Sequence, residues 1–394
     1  MLKCKKTFHL LGLAHLPTVR EISTCAYTQK ILKLAHMLMS RGHTVYFYGV
    51  EGSDVPCTEF IQCLSKADLE ACYGSYDIKR EFFKHDGNDA CYTKMNHVAA
   101  QEINKRKTPT DFLLITMGNY QMICANLVQL HNTVESGIGY EGIFANFKVF
   151  ESYPWMHYLY GMQYGSSQGK QGKDGSWYDC VIPNYFFPED FPMGEHKGDE
   201  KGEYLLYMGR IILRKGIDIA VQVSRELGKR LIIAGQGSLK NPNEHLDIDP
   251  SREDGKHIEY LGAVGPEQRS KLLGGAICSF VPTYYIEPFG GAAVEAMMAG
   301  CPVLTSDWGA FCETVSHGLS GWRCRTFDEF VWAAKQCPSM DHQKIRDYAI
   351  ANYSCERIAE MYEEYFDRVL DITAGKGWYQ LHPERTDLNW LKRY

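Results

Sequence analysis

The chain has 394 residues, 45% of them hydrophobic and 23% charged, which is the composition of a folded protein and length enough for two domains with separate cores. Its 42 Lys+Arg stand against 48 Asp+Glu, for a formal net charge of −6, and beyond Lys3-Cys4-Lys5-Lys6 there is no basic run, which argues against nucleic acid as a partner. The 14 cysteines are scattered, with no C-x-x-C pair and no Cys/His spacing for zinc, so they read as small apolar core residues of a reducing compartment. The first residues lack the pattern of a secretory leader, and no apolar run approaches the roughly 20 residues that cross a bilayer. The expectation is a cytoplasmic protein without a transmembrane segment, leaving room for peripheral contact with a membrane.

In chain order, Thr7 to Ala14 is a short apolar run containing Gly12, and Ser23 to Ser40 carries Ile31, Leu34, Ala35, Leu38 and Met39 on one helical stripe, closed by Gly42. Thr44 to Tyr48 is β-rich. Strand, helix, strand at this spacing opens a doubly wound α/β domain, and the loop His15-Leu16-Pro17-Thr18 falls at the edge where such sheets bind ligands. Residues 50 to 110 give little beyond an irregular strand and helix. Asp111 to Met117 is a buried strand, Val134 to Tyr140 another that runs into a glycine turn, and aromatics crowd Asn146 to Gly161. Tyr153, Trp155, His157, Tyr158 and Tyr160 are either core and rim or a platform for a sugar ring. Gly161 to Ser176 reads as a surface loop, Tyr178 to Pro183 as a strand, and the Pro-, Gly- and charge-rich segment from Ile182 to Glu203 as a hinge.

The pattern then restarts. Strands are expected at Glu203–Gly209, Arg230–Ala234, His257–Gly262, Ala276–Val281 and Pro302–Thr305, with helices opening at Lys215-Gly216 and Pro266 and two amphipathic helices in Asp341–Leu370. An acidic loop at 244–255 interrupts the series. The most informative stretch is Tyr284 to Val303, YYIEPFGGAAVEAMMAGCPV: Pro288 stops a strand, Phe289, Gly290 and Gly291 turn, and Ala292 to Ala299 is a run of helix formers. A helix opened by two glycines offers free N–H groups and a positive dipole end to a diphosphate. Glu287 and Glu295 flank that tip, and carboxylates accept paired sugar hydroxyls. Arg210 and Lys215, at a strand end and a helix start, can neutralise a departing diphosphate.

These segments resemble the signatures of retaining nucleotide-sugar glycosyltransferases of the GT-B fold, glycosyltransferase family 4 in particular. The landmarks are the Pro183-Asn184 hinge, Gly209-Arg210 to Lys215-Gly216, Gly235-Gln236-Gly237, Leu261-Gly262, the two glutamates and the Gly318–Gly321 turn. The resemblance implies two Rossmann-like doubly wound domains facing each other across a cleft. An acceptor-side domain would span residues 1–185 and a nucleotide-sugar domain 186–371, with the tail 372–394 packing back on the first. It makes Arg210, Lys215 and Glu287 catalytic and gives donor binding to Gly12, Gly209, Gly235, Gly237, Val264, Pro288, Phe289, Gly290, Gly291 and Glu295. On the acceptor or sugar side it suggests His15, Glu135, which stands where the family often has a histidine, and His157 as its substitute.

The activity implied is transfer of a mannose- or glucose-type hexose from a nucleotide sugar to a glycan or glycolipid hydroxyl, with no metal and no cofactor. Glu244, Asp247, Asp249, Glu253 and Asp254 could meet the N1 and N2 donors of guanine, which favours GDP-mannose over UDP-glucose. A UDP-sugar transferase and a nucleotide-sugar epimerase are the alternatives. Neither domain opens with the G-x-G-x-x-G of a nicotinamide-dependent dehydrogenase.

Overall fold

The structure, a computed structural model, describes residues 5–77, 81–166, 175–176, 178–241, 245–252 and 255–376. Glu244, Glu253, Asp254, residues 167–174 of the expected surface loop and the tail from 377 lie outside these residues, and the start of that loop, residues 161–166, is helical instead, continuing the helix that opens at Tyr153. The chain divides into two compact units, one taking in residues up to Ser75, Lys84–Tyr185 and the chain from Cys355, the other Tyr76–Phe83 and Phe186–Ser354.

The first unit runs β1 (Thr7–Leu11), α1 (Ala26–Ser40), β2 (Thr44–Val50), β3 (Glu59–Leu64), α2 (Lys66–Tyr73), α3 (Ala90–Arg106), β4 (Phe112–Ile115), α4 (Met122–Val128), β5 (Asn132–Ile138), β6 (Phe147–Phe150), α5 (Tyr153–Ser166) and β7 (Cys180–Val181). Every pairing in its sheet is parallel, in the order β3-β2-β1-β4-β5-β6-β7. A parallel sheet is covered on both faces, so its central strands are continuous apolar runs: all four residues of β4 are buried. Helix starts are set by local chemistry, as where the Asp89 carboxylate accepts the Tyr92 N–H at the head of α3.

The second unit repeats the plan with β8 (Tyr204–Met208), α6 (Ile217–Leu227), β9 (Arg230–Ala234), a small antiparallel pair β10 (Lys240–Asn241) and β11 (Leu246–Asp247), β12 (Ile258–Gly262), α7 (Pro266–Gly275), β13 (Ser279–Val281), α8 (Gly291–Met298), β14 (Val303–Ser306), α9 (Phe311–Thr314), β15 (Gly321–Cys324), α10 (Phe327–Gln336) and α11 (His342–Tyr353). Its main sheet has the order β12-β9-β8-β13-β14-β15, again all parallel. One core lies on each face of this sheet. Phe289, Met297, Phe311 and Tyr353 help fill the first, and Ile217, Ile233, Phe280 and Phe330 the second.

The last helix, α12 (Cys355–Thr373), corrects the expected boundary at 371, because it is part of the first unit. Its apolar stripe explains why. Phe366 packs on Phe8 and Phe112 with ring centroids 4.8 and 5.0 Å apart. Glu363, only 2% exposed, is held by His43 and lies 3.6 Å from the Lys6 ammonium, which also pairs with Asp367 at 2.7 Å. Burying those charges is tolerable only because they are paired with one another. Among the described residues no helix is long and apolar enough to cross a membrane.

Candidate functional site

In each sheet the strand order reverses beside the first strand, between β1 and β4 in the first unit and between β8 and β13 in the second. Loops leaving the carboxyl ends of those strands diverge there and leave a crevice, the usual ligand position of an open parallel sheet. In the second unit the two loops are Gly209–Gly216, after β8, and Pro282–Gly290, after β13.

These loops bring Lys215 and Glu287 together. The ammonium donates to Glu287 Oε2 at 2.8 Å and to the Tyr285 hydroxyl at 2.7 Å. Glu287 is 8% exposed. Burial, reinforced by the neighbouring Glu287 charge, pushes the Tyr285 phenol well above its ordinary pKa, so it stays protonated. The Arg214 guanidinium lies over the same ring, 4.9 Å from its centroid. Arg210 is exposed, and its carbonyl accepts the Tyr207 hydroxyl at 3.0 Å. Its charge lowers the pKa of both Tyr207 and Tyr285, which opposes the upward push of burial on each. The segment after β14 fixes the Glu287 loop from the other side, with Ala310 N–H donating to the Glu287 carbonyl at 3.0 Å and Trp308 Nε1 to the Tyr285 carbonyl at 3.2 Å.

The turn after Glu287 forms the tip of α8. Gly290 sits in the left-handed region, φ 82°, and a Cβ there would overlap the Phe311 ring, so backbone and packing both require glycine. No side chain caps this helix. Gly291 differs: its φ is not positive, and the nearest heavy atom to a Cβ would be Phe186 Cζ at 3.6 Å, an ordinary contact. Nothing in the fold demands glycine at that position.

Glu295 is engaged rather than open. Arg269 Nη1, from α7, donates to both of its carboxylate oxygens at 3.0 and 2.9 Å. Phe289 is buried against Phe186 and Tyr353, leaving only its backbone to face a ligand, and Val264 is buried in the same core. Pro288 is half-buried. Gly209 and Gly235 meet at the ends of β8 and β9: the Gly209 N–H donates to the Ala234 carbonyl at 2.9 Å, and a Cβ on Gly235, φ 155°, would overlap the Gly209 carbonyl oxygen. Gly237 bridges to Ile211 and its carbonyl accepts the Tyr260 hydroxyl at 2.7 Å.

In the first unit Gly12 ends β1, its N–H donating to the Tyr48 carbonyl at 2.8 Å. His15 is buried with Nδ1 2.8 Å from the Tyr92 hydroxyl and its ring centroid 4.5 Å from that of His85. Burial, and secondarily His85, pushes its pKa down to about 3, so it is neutral. Glu135 points into the protein, where one carboxylate oxygen accepts the N–H groups of Phe144 and Ala145, both at 2.9 Å. His157 lies exposed on α5 beside Tyr153, while Trp155 is core, Tyr158 bonds Glu141 and Tyr160 bonds Asp179. The aromatic run is thus a helix with most of its rings committed, not a flat platform.

Sequence reasoning passed over Tyr285, Trp308 and Arg269. Tyr285 stood two residues before a singled-out glutamate and could have been found. Arg269 carried no local signal, because its partner is 26 positions away on another helix.

Residues 190–351, within the second unit, match the family model described as glycosyl transferases group 1. The chain is similar to an uncharacterized glycosyltransferase of Methanocaldococcus jannaschii, 30% identical over 45% of this chain and 44% of the relative. It is also similar to a glycogen synthase of Mycobacterium tuberculosis, 33% identical over 38% of this chain and 36% of the relative. These matches therefore span less than half the length of either relative. A sucrose-phosphate synthase from Thermosynechococcus elongatus superimposes with a TM-score of 0.65 over 94% of this chain and 100% of that one, at 16% identity. At that identity the likeness speaks for the fold alone: two parallel-sheet, Rossmann-like domains of the GT-B kind.

Proposed function

We propose that the protein is a retaining glycosyltransferase that moves a hexose from a nucleoside diphosphate sugar to a hydroxyl of a glycan or glycolipid. The carrying observation is the Lys215–Glu287 pair, 2.8 Å apart at the strand-order reversal of the second sheet, one turn of chain away from a helix tip that no side chain caps. Backbone N–H groups at Gly290 and Gly291 would hold the diphosphate. Lys215 and the exposed Arg210 would compensate charge as the bond between the sugar C1 and the diphosphate oxygen breaks. The acceptor hydroxyl would form the new bond to C1 on the face the diphosphate leaves, and its proton would pass to the departing phosphate oxygen. Glu287 would orient the sugar hydroxyls, and Glu295, steadied by Arg269, the ribose. Acceptor choice is assigned to the first unit, with His15 and His157 as its candidates. The match of residues 190–351 to the group 1 family model supports this reading, as does the likeness of 38% of the chain to a glycogen synthase.

The acidic loop favours GDP-mannose as the donor, but two of its carboxylates have partners: Lys240 donates to Asp249 at 2.7 Å and Arg252 to Asp247 at 2.8 Å. That observation favours a second reading, a UDP-hexose donor. Thermal-shift titration with GDP and UDP separates the two, since a ligand at 100 times its Kd stabilises by about 2.7 kcal/mol. Purified protein would then be incubated with the matching sugar nucleotide, with and without glycan acceptors, and its products weighed by mass spectrometry. Nucleotide release that requires an acceptor, with a sugar mass added to it, is the expected result. Conversion of the donor to its epimer without acceptor would replace the transferase reading with the epimerase one, and binding of neither nucleotide would end both.

A further inference from the structure

A second pocket, of about 410 Å³, is lined by residues of β15 and α10 together with Asp307, His317 and Arg325, and Glu287 is not among them. That volume suits a ligand of one or a few rings. Two indoles form one wall: Trp322 and Trp332 meet edge to face with centroids 4.8 Å apart, and Trp332 remains 50% exposed. His317 abuts Trp322 at 5.1 Å and 90°. The polar wall is built around Asp307, whose carboxylate takes Arg325 Nε at 2.7 Å and lies 3.4 Å from Arg323 Nε. The Arg325 side chain is 74% exposed, yet Asp307 engages both its Nε and its Nη2, which fixes the plane of the guanidinium. Glu329 is fixed in turn by the capping box of α10, accepting the N–H groups of Arg325 and Thr326.

We propose that this pocket is a carbohydrate-binding site for a neutral saccharide, separate from the Lys215–Glu287 site. An exposed indole presents a flat apolar face that matches the C–H face of a pyranose, and planar guanidinium and carboxylate groups match vicinal hydroxyls in pairs. Free phosphate or a nucleotide would be drawn by uncompensated cations, whereas here two arginines are balanced by Asp307 and Glu329. The inference rests on the pocket itself and holds whether or not the chain transfers sugars.

The probes are maltotetraose and mannotetraose, titrated against the full chain and followed by tryptophan fluorescence and saturation-transfer NMR. One of them is expected to bind, with saturation transferred to ring C–H protons. Trp332→Ala is expected to weaken that binding about tenfold, the scale of one lost aromatic contact, while Trp332→Phe restores most of it. Trp332 is half exposed, so the alanine variant should fold, which its circular dichroism and melting midpoint check. Lys215→Ala, which addresses the transferase reading, should leave the tetrasaccharide affinity in place, so the two ideas fail separately. Equal binding by wild type and Trp332→Ala, no binding of either tetrasaccharide, or fluorescence quenching by UDP or GDP that Trp332→Ala abolishes would each overturn the proposal.

Discussion

The two units place the same topological feature at the end of their first strand and furnish it with opposite chemistry. At the β1/β4 reversal the polar groups bind one another. Gln121 Nε2 donates to the Gly12 carbonyl at 2.9 Å, its Oε1 accepts the N–H groups of Thr116 and Met117 at 2.7 and 3.1 Å, and Thr116 Oγ1 donates to the Leu11 carbonyl at 2.9 Å. His15 is buried and neutral, and Glu135 serves two backbone amides. At the β8/β13 reversal a cation, a carboxylate and a phenol share one hydrogen-bonded cluster beside an uncapped helix tip. A self-satisfied crevice holds its loops in shape, whereas one that keeps an ammonium and open N–H groups is prepared for an anion.

The largest expected effect bears on this contrast directly. Lys215→Ala should lower kcat by about 10²-fold or more, the scale for removing one charge-stabilising donor, with donor KM changed far less. It also strands a buried carboxylate, so Lys215→Arg is the control that keeps the charge and loses only the geometry. Undiminished turnover in the alanine variant would remove the distinction drawn between the two crevices.

Next comes a pair of glycines at strand ends, one in each unit, Gly12 after β1 and Gly235 after β9. Gly235→Ala sets a methyl on the Gly209 carbonyl at φ 155°, a backbone that cannot step aside, and should cost about 3 kcal/mol, or roughly 6–12 °C in Tm for a unit of this size. Gly12→Ala places its methyl 2.9 Å from Phe47 Cζ, a ring edge that can give, and 3.1 Å from the Tyr48 carbonyl oxygen, far looser than the 1.7 Å at Gly235, and should cost less. Differential scanning calorimetry of both variants tests the order, and a larger loss at Gly12 would reverse it.

Glu135 supplies a pH test. Burial pushes its carboxyl up to about 7 from 4.5. The folded state then binds more protons than the unfolded one between those values, so this group's contribution to stability is full below pH 4.5 and declines as pH rises towards 7. Glu135→Gln keeps an oxygen for the two amides and removes the titration. The variant should gain about 3 kcal/mol on wild type at pH 8 and less than about 1 kcal/mol at pH 5, measured by urea unfolding. A pH-independent difference would mean that the carboxyl is not held neutral by its surroundings.

How much of this was legible in the sequence also follows the contrast. The sequence bounds strand β9 at Arg230 and Ala234 and places β8 to within a residue or two, because central parallel strands are unbroken apolar runs with glycines at their ends. Residues 50–110 were opaque for the complementary reason. Edge strand β3 pairs on one side only, three of its six residues are exposed, and it shows neither an apolar run nor an alternation. Helix α10 was missed beyond the Gly318–Gly321 turn although Thr326 and Glu329 form a capping box at its start. Of the site, motif spacing carried Lys215 and Glu287. The engagement of Glu295 by Arg269 was invisible, since tertiary packing alone joins their helices.

The smallest expected effect on stability probes the helix tip itself. Gly290 is explained by the protein, through its left-handed backbone and Phe311, but Gly291 is not: its methyl would meet Phe186 at 3.6 Å without strain. Removing a glycine from the first position of a helix should raise stability by about 0.4–1 kcal/mol, mostly by restricting the unfolded chain. If the α8 tip seats the diphosphate, the same methyl stands where the ligand approaches the backbone, and nucleotide affinity should fall as stability rises. Opposite signs in two measurements on one variant, a raised Tm without nucleotide and a smaller thermal shift with it, are hard to produce by a general perturbation. A raised Tm with the nucleotide shift intact would place the diphosphate elsewhere and return Gly291 to the ordinary surface of the second unit.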